Sequence, residues 1–304
     1  MPWKETPAEL ERAWAEQPMI VPGPMGRLIG IYTPAAPSAR PSGMCVIFLA
    51  RPRFEQRRVV VELARRLASE GFNCFRYDQH GWGESDGELK PIDIDHPSRG
   101  ELFAVLRHLR RLGEKKFVFW GLCLDARLAL SIFPDEPDIV EGLVFLSAPA
   151  SRLVSPKVFS WRNLLRWTLD RERWRELFFS KRSRQQARDA LKFILRGTLK
   201  TSLDTLSPEF LNDFRALVRS HARALFLYGS EDGEYQSFRL AEQQLFPKLD
   251  APSRERLELQ IWPGGVHSVN DIHRQREIVE KSFTWIQSLH PAYAQPVQLA
   301  ASAG

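Results

Sequence analysis

Residues 117–130 read FVFWGLCLDARLAL, and this stretch decides the fold. The apolar run Phe117 to Trp120 is typical of a buried strand, and Arg127 to Leu130 is typical of a helix. Between them, the segment GLCLDA at 121–126 places Cys123 in a turn bordered by small residues. A turn of this kind lifts one side chain out of the sheet, beside free backbone N–H groups. The stretch therefore predicts a nucleophile at Cys123.

Two later segments place a carboxylate and an imidazole directly after strand-like runs. The first is LFLYGSED at 225–232, which ends at Asp232, and the second is WPGGVHS at 262–268, which contains His267. A third segment, FRYDQHGWGESDG at 75–87, is a strand followed by a Gly-rich turn. Together with the turn at Cys123, these segments resemble the α/β-hydrolase superfamily, in its serine aminopeptidase and acylglycerol lipase-like branch, with Cys in the usual Ser position. The resemblance covers roughly residues 20–290.

The resemblance implies a catalytic triad of Cys123, His267 and Asp232. His267 takes the proton from Cys123, and Asp232 orients the imidazole, so that the thiolate forms a covalent acyl-enzyme. We expect the turn from Asp78 to Gly87 to be mostly structural, and we assign it no catalytic role. Rival positions remain for two of the roles: Glu231 and Asp271 for the acid, and His80 and His273 for the base.

Asp125 is the first departure from the superfamily's pattern, because most members carry a small residue at this point. Its carboxylate suits a helix N-terminus but opposes the formation of a thiolate at Cys123. The sign of its effect on catalysis is therefore open.

The loop Ala50 to Phe54 is the second departure, because it reads ARPRF where members usually carry His-Gly. Pro52 has no N–H to donate. We expect the oxyanion hole to consist of the backbone of Leu124 with that of Arg51 or Arg53. The loop also loosely resembles that of bacterial hydrolases associated with exopolysaccharide and exosortase gene clusters.

Apolar strands and amphipathic helices alternate along most of the chain. Strand-like runs lie at 44–50, 72–78, 118–123, 143–147, 224–228 and 257–262. This alternation predicts an α/β fold with a mainly parallel central sheet flanked by helices and opened by a hairpin at 19–34. We expect an N-terminal helical extension at 1–18, a hydrolase core formed by 19–150 and 222–290, an inserted helical cap at 151–221, and a flexible tail at 291–304.

The predicted cap mixes aromatic and basic residues. Trp161, Trp167 and Arg166 are candidates for substrate binding, because an apolar lid with arginines suits an acyl thioester of coenzyme A or phosphopantetheine. Solvated amphipathic helices explain the same pattern without a ligand. A net charge of +6 without a recognised module argues against nucleic acid as a partner. Peripheral contact with anionic lipid is compatible with the pattern.

Composition limits the classes of protein further. With 304 residues, of which 43% are hydrophobic, the chain can bury a large core. No apolar run is long enough for a membrane span, and the N-terminus lacks the pattern of a signal peptide. The three cysteines, Cys45, Cys74 and Cys123, are too widely spaced to predict a disulfide framework or a metal centre. We therefore expect a cytoplasmic protein without a metal or a cofactor.

The sequence thus predicts an enzyme, either a hydrolase or an acyltransferase, that acts on a small-molecule ester or thioester through Cys123, His267 and Asp232. The alternative is a hydrolase-fold protein with impaired catalysis, which binds an acyl or anionic ligand or a partner protein. Asp125 and the Ala50 to Phe54 loop favour that alternative.

Overall fold

A computed structural model describes residues 16–50, 58–88, 99–150, 206–267 and 271–292. The strands within these ranges are β1 (Gln17–Gly23), β2 (Gly26–Thr33), β3 (Met44–Leu49), β4 (Asn73–Tyr77), β5 (Lys116–Leu122), β6 (Val140–Leu146), β7 (Arg223–Gly229) and β8 (Leu257–Trp262). The helices there are α1 (Val59–Ser69), α2 (Arg99–Arg111), α3 (Leu124–Leu130), α4 (Pro208–Arg219), α5 (Gly233–Leu245), α6 (Ala251–Glu255) and α7 (Ile272–Gln287). Short 3₁₀ helices lie at Pro137–Ile139 and Phe246–Lys248.

The strands form a single eight-stranded sheet in the order β1-β2-β4-β3-β5-β6-β7-β8. β1 and β2 form the predicted antiparallel hairpin, and β2 also pairs antiparallel with β4. From β4 to β8 every pairing is parallel. The predicted α/β architecture, with a mainly parallel sheet between layers of helices, is confirmed.

Alternate residues of the central strands pack into separate cores on the two faces of the sheet. In β3, Cys45 and Ile47 join the core beneath α2 to α5, whereas Val46 and Phe48 join the core beneath α1 and α7. All six side chains of β3 are buried. A strand covered on both faces reads as a continuous apolar run, which is why the sequence pattern located these strands well.

An aromatic cluster fixes α4 and α5 to the strands behind the candidate site. The Phe226 ring on β7 stacks on Phe145 of β6 at 4.6 Å and on Phe238 of α5 at 4.9 Å. Phe214 of α4 packs against the same ring at 6.5 Å. Aromatic pairs of this kind contribute about 0.5–1.5 kcal/mol each beyond their buried area. α4, which precedes β7, and α5, which follows it, are therefore held firmly against the sheet.

Several sequence predictions fall outside the described residues. These are most of the N-terminal extension (1–15), most of the tail (293–304) and the greater part of the cap (151–205). α4 lies inside the range predicted for the cap, yet its apolar face is buried in the main core. Across the described part of the chain, no helix combines the length and the hydropathy needed to cross a bilayer.

Candidate active site

Cys123 occupies the turn between β5 and α3. Its φ of 54° and ψ of −119° lie in a region that L-residues rarely adopt, at a cost of about 1–3 kcal/mol. Its backbone N–H donates to the Leu146 carbonyl at 2.8 Å, which ties the turn to the end of β6. Gly121 is required for this tight turn, since a Cβ there would lie 2.7 Å from the backbone of Ala126. The thiol is partly exposed, so it is presented at the carboxyl end of β5.

The imidazole of His267, in the loop after β8, lies next to this thiol. A ring nitrogen of His267, the Sγ of Cys123 and a carboxylate oxygen of Glu234 all lie within 4.8 Å of one another. The His267 Nε2 is 3.8 Å from the Glu234 Oε1. Catalytic contacts are often long before substrate binds and shorten when it does. The structure thus brings together the predicted nucleophile and base, and adds Glu234.

Asp232 lies at the end of β7, where its buried carboxylate ties three loops together. Its Oδ2 accepts a hydrogen bond from the Ser147 hydroxyl at 2.9 Å and from the Gly229 N–H at 3.0 Å. It also accepts the backbone N–H groups of Val266, at 3.1 Å, and of His267, at 3.3 Å. Asp232 therefore contacts His267 through the main chain, and the carboxylate nearest the ring among the described residues is that of Glu234.

Glu234 lies in the first turn of α5, where its side chain is 19% exposed. The pKa of the Tyr228 hydroxyl lies well above its usual value, mainly because the hydroxyl is buried and also because Glu234 places a negative charge nearby. That hydroxyl donates to the Ala148 carbonyl at 2.6 Å. Glu234 cannot be singled out from the sequence, because the only signal there is its position two residues after Asp232.

Asp125 is buried at the start of α3. Its Oδ1 accepts a hydrogen bond from the Gln79 amide at 2.7 Å. This bond joins α3 to the turn that follows β4. The backbone of Leu124, the predicted oxyanion donor, begins α3, so its N–H belongs to the helix end that lacks intrahelical acceptors.

The rival candidates hold structural positions. The His80 ring is buried; its Nδ1 donates to the Asp86 carbonyl at 2.7 Å, and its Nε2 accepts the Met25 N–H at 3.1 Å. Asp271 caps α7 by accepting the His273 N–H at 3.1 Å. Glu231 and His273 are exposed.

Arg127 is a buried cation one turn after Cys123. Its guanidinium lies over the Phe210 ring at 4.9 Å, and its three nitrogens have no hydrogen-bond partner among the described residues. Burial lowers the pKa of Arg127 to about 10, although the charge of Asp213 opposes the shift. Burial likewise raises the pKa of Asp213 to about 6. In a close ion pair the pKa of the arginine would rise and that of the aspartate would fall, so burial outweighs the mutual attraction of Arg127 and Asp213.

The remaining predicted site residues fall outside the described residues. They are Arg51 and Arg53 of the expected oxyanion hole, and Trp161, Arg166 and Trp167 of the expected substrate site.

Comparison with known protein families identifies a match over about half of the chain. Residues 45–198 match the family described as serine aminopeptidase, S33. No curated protein matches the chain by sequence.

Solved structures share the fold at low sequence identity. A Pyrococcus furiosus esterase has 14% identity and a TM-score of 0.58, with 95% of this chain and 96% of that chain covered. An α/β serine hydrolase without lid from Xanthomonas campestris has 16% identity and a TM-score of 0.56, covering 92% of this chain and 97% of that one. The proline iminopeptidase of Mycobacterium smegmatis has 17% identity and a TM-score of 0.55, covering 91% and 99%.

Proposed function

Since this chain belongs to the serine aminopeptidase S33 family of the α/β-hydrolase superfamily, we propose that it hydrolyses or transfers the acyl group of a small-molecule ester or thioester, with Cys123 as the nucleophile. The family description specifies serine, and Cys123 stands in the position where the superfamily keeps that residue. The observation that carries the proposal is the placement of the Cys123 Sγ within 4.8 Å of a ring nitrogen of His267.

The proposed reaction has two halves. His267 removes the thiol proton, and the Cys123 thiolate attacks the carbonyl carbon to form a tetrahedral oxyanion beside the backbone N–H of Leu124. The C–O or C–S bond then breaks, the imidazolium protonates the leaving alcohol or thiol, and an acyl thioester remains on Cys123. His267 next deprotonates water or another acceptor, which attacks the thioester and restores the thiol.

The two carboxylates have separate parts in this proposal. Asp232 holds the loop that carries His267, through its bonds to the backbone of Val266 and His267. Glu234, at 3.8 Å from the ring, stabilises the imidazolium that forms during each half-reaction. Orientation of the ring by Asp232, as the resemblance implies, remains the competing assignment. A pH profile of the rate in Glu234→Gln and in Asp232→Asn separates them, because loss of imidazolium stabilisation shifts the profile and loss of loop support lowers it uniformly.

The substrate is proposed only as an ester or thioester. The preference for coenzyme A or phosphopantetheine thioesters rests on cap residues outside the described part of the chain, and it stays a prediction.

The test of this function is a covalent adduct. The full chain is incubated with a panel of acyl-CoA thioesters and p-nitrophenyl esters, and intact mass is measured after a rapid acid quench. The expected result is one acyl group per chain, which is absent in Cys123→Ala and retained in Cys74→Ala. The latter is a matched control, because Cys74 is fully buried in β4.

A Cys123→Ser variant extends this test. Hydrolysis by the Ser variant would show that the geometry suits the serine chemistry of the family. An adduct that persists in Cys123→Ala, or no adduct with any member of the panel, would overturn the proposal and favour a ligand-binding protein without turnover.

A further inference from the structure

Three donor atoms of different chemistry converge at the carboxyl end of the sheet. The Cys123 Sγ, a Glu234 carboxylate oxygen and a His267 ring nitrogen lie within 4.8 Å of one another. Cys123 lies in the turn after β5, Glu234 in the first turn of the helix that follows β7, and His267 in the loop after β8. The order of the parallel strands therefore brings these three connections to the same edge of the sheet. Each of the three residues is partly exposed, and the His267 side chain is 42% exposed, so an ion from solvent can reach all three donors.

We propose that these three side chains form a binding site for a thiophilic divalent transition metal ion, with Zn²⁺ as the best fit. A tetrahedral zinc ion with bonds of about 2.0–2.3 Å needs neighbouring donors roughly 3.4–3.6 Å apart. The His267 Nε2 to Glu234 Oε1 distance of 3.8 Å is close to that value. The thiol, within the 4.8 Å limit, needs to approach by about 1 Å, which a rotation of partly exposed side chains supplies.

The donor set discriminates between classes of metal. Ca²⁺ and Mg²⁺ require mostly oxygen ligands, whereas this site offers one oxygen, one nitrogen and one sulfur. Thiolate and imidazole ligands favour zinc and its neighbours in the first transition series. Asp232 is not among the donors, because its oxygens accept hydrogen bonds from Ser147 and from backbone N–H groups. The fourth position is left for water, as in zinc sites with three protein ligands.

Occupancy by metal and acylation exclude each other, because both use the sulfur of Cys123. Metal binding releases the thiol proton, and the sulfur lone pair is then committed to the metal. Bound Zn²⁺ therefore acts as a reversible inhibitor of the proposed reaction. This consequence rests on the proposed function, but the binding site does not.

The test is metal binding to the full chain, with Zn²⁺ and Co²⁺ alone as probes. Competition with a chromophoric chelator is expected to give one high-affinity Zn²⁺ per chain. The affinity is expected to fall about tenfold or more in Cys123→Ser, in His267→Ala and in Glu234→Gln. Glu231→Gln is the matched control: this exposed carboxylate lies in the loop just before α5, and its loss is expected to change the affinity less than about twofold. Circular dichroism checks that each variant is folded.

Co²⁺ supplies a spectroscopic signature independent of activity. A thiolate-to-metal charge-transfer band in the near ultraviolet, lost in Cys123→Ser, is expected. Zn²⁺ affinity that is equal in the wild type and in Cys123→Ser, or an affinity unchanged in Glu234→Gln, would overturn the site. Acyl adducts without zinc binding would sink the metal proposal alone, and zinc binding without any acyl adduct would sink the proposed function alone.

Discussion

Ser147 and Asp232 form a buried side-chain hydrogen bond near the site. Ser147 follows β6 with a φ of 49°, and its hydroxyl donates to the buried Asp232 carboxylate at 2.9 Å. A hydrogen bond to a charged acceptor contributes about 1.5–3 kcal/mol, roughly twice the value for neutral partners. The strained backbone of Ser147 is therefore maintained by a strong local interaction.

Ser147→Ala should lower the free energy of unfolding by about 2 kcal/mol. Ser131→Ala is the control, because the Ser131 hydroxyl is also buried but donates to the neutral Leu128 carbonyl at 2.8 Å. Its loss should cost about 1 kcal/mol. Urea unfolding of both variants measures the difference, and equal losses would contradict the role given to the Asp232 charge.

Asp213 gives the molecule a pH dependence of known sign. Burial raises its pKa from 3.8 to about 6, so between these values the folded protein keeps a proton that the unfolded chain has lost. Stability therefore falls as the pH rises through this window and stays lower above it. A shift of this size corresponds to at most about 3 kcal/mol.

Asp213→Asn should remove this loss. The variant should be more stable than the wild type by about 1–3 kcal/mol at pH 7.5, and nearly equal to it at pH 4. Urea titrations at both pH values make the comparison. Asp250→Asn is the contrast, because hydrogen bonds from Ser253 lower the pKa of Asp250, and its contribution is lost as the pH falls. A wild-type advantage over Asp213→Asn at pH 7.5 would contradict the account.

The contact between β5 and α3 sets the position of Cys123, which lies in the turn between them. The backbone of α3 approaches Gly121 so closely that only a hydrogen fits in place of a side chain. Gly100, by contrast, lies exposed in α2, where an added Cβ meets, among the described residues, only Pro24 at 3.6 Å. Gly121 therefore tests whether close packing requires a glycine, and Gly100 serves as a helix position where a side chain fits.

Gly121→Ala should destabilise the protein by about 1–3 kcal/mol, because the added methyl overpacks the β5–α3 contact. It should also reduce the rate of Cys123 labelling, since α3 carries the turn. Gly100→Ala should be neutral or stabilising by up to about 1 kcal/mol, because alanine is the better helix former. Thermal unfolding and thiol labelling of both variants test this. A Gly121→Ala protein with wild-type stability and labelling would refute the packing argument.

Most elements were predictable because their patterns are local. The buried parallel strands read as apolar runs, and the β1–β2 hairpin was marked by its turn. An amphipathic pattern shows that a helix buries one face but not which surface it packs on, so the sequence alone could place α4 only within the range of the cap. In the structure, Phe210 and Phe214 place α4 on the main core.

The order of the strands in the sheet brings residues that are distant in sequence to one edge of the sheet. β5, β7 and β8 all run parallel, so the loops that follow them meet at their carboxyl ends. Chain order and turn chemistry were enough to predict that Cys123, Asp232 and His267 each follow a strand at this edge of the sheet. They could not predict which carboxylate faces the imidazole, because this depends on side-chain direction in the first turn of α5. Only the structure shows that Glu234 lies beside the His267 ring.

In the proposed reaction His267 activates Cys123, and the pH dependence of Cys123 alkylation tests this activation. The initial rate of Cys123 labelling by iodoacetamide is followed by intact mass in the wild type and in His267→Ala. His273→Ala is the control, because that histidine is exposed at the start of α7. Burial raises the pKa of Cys45 and of Cys74, so neither should react.

We expect an apparent pKa for Cys123 well below the free-thiol value of about 8.5, unchanged in His273→Ala and restored towards that value in His267→Ala. If the wild type and His267→Ala instead share the profile of an ordinary thiol, His267 does not activate Cys123, and the enzymatic account is contradicted.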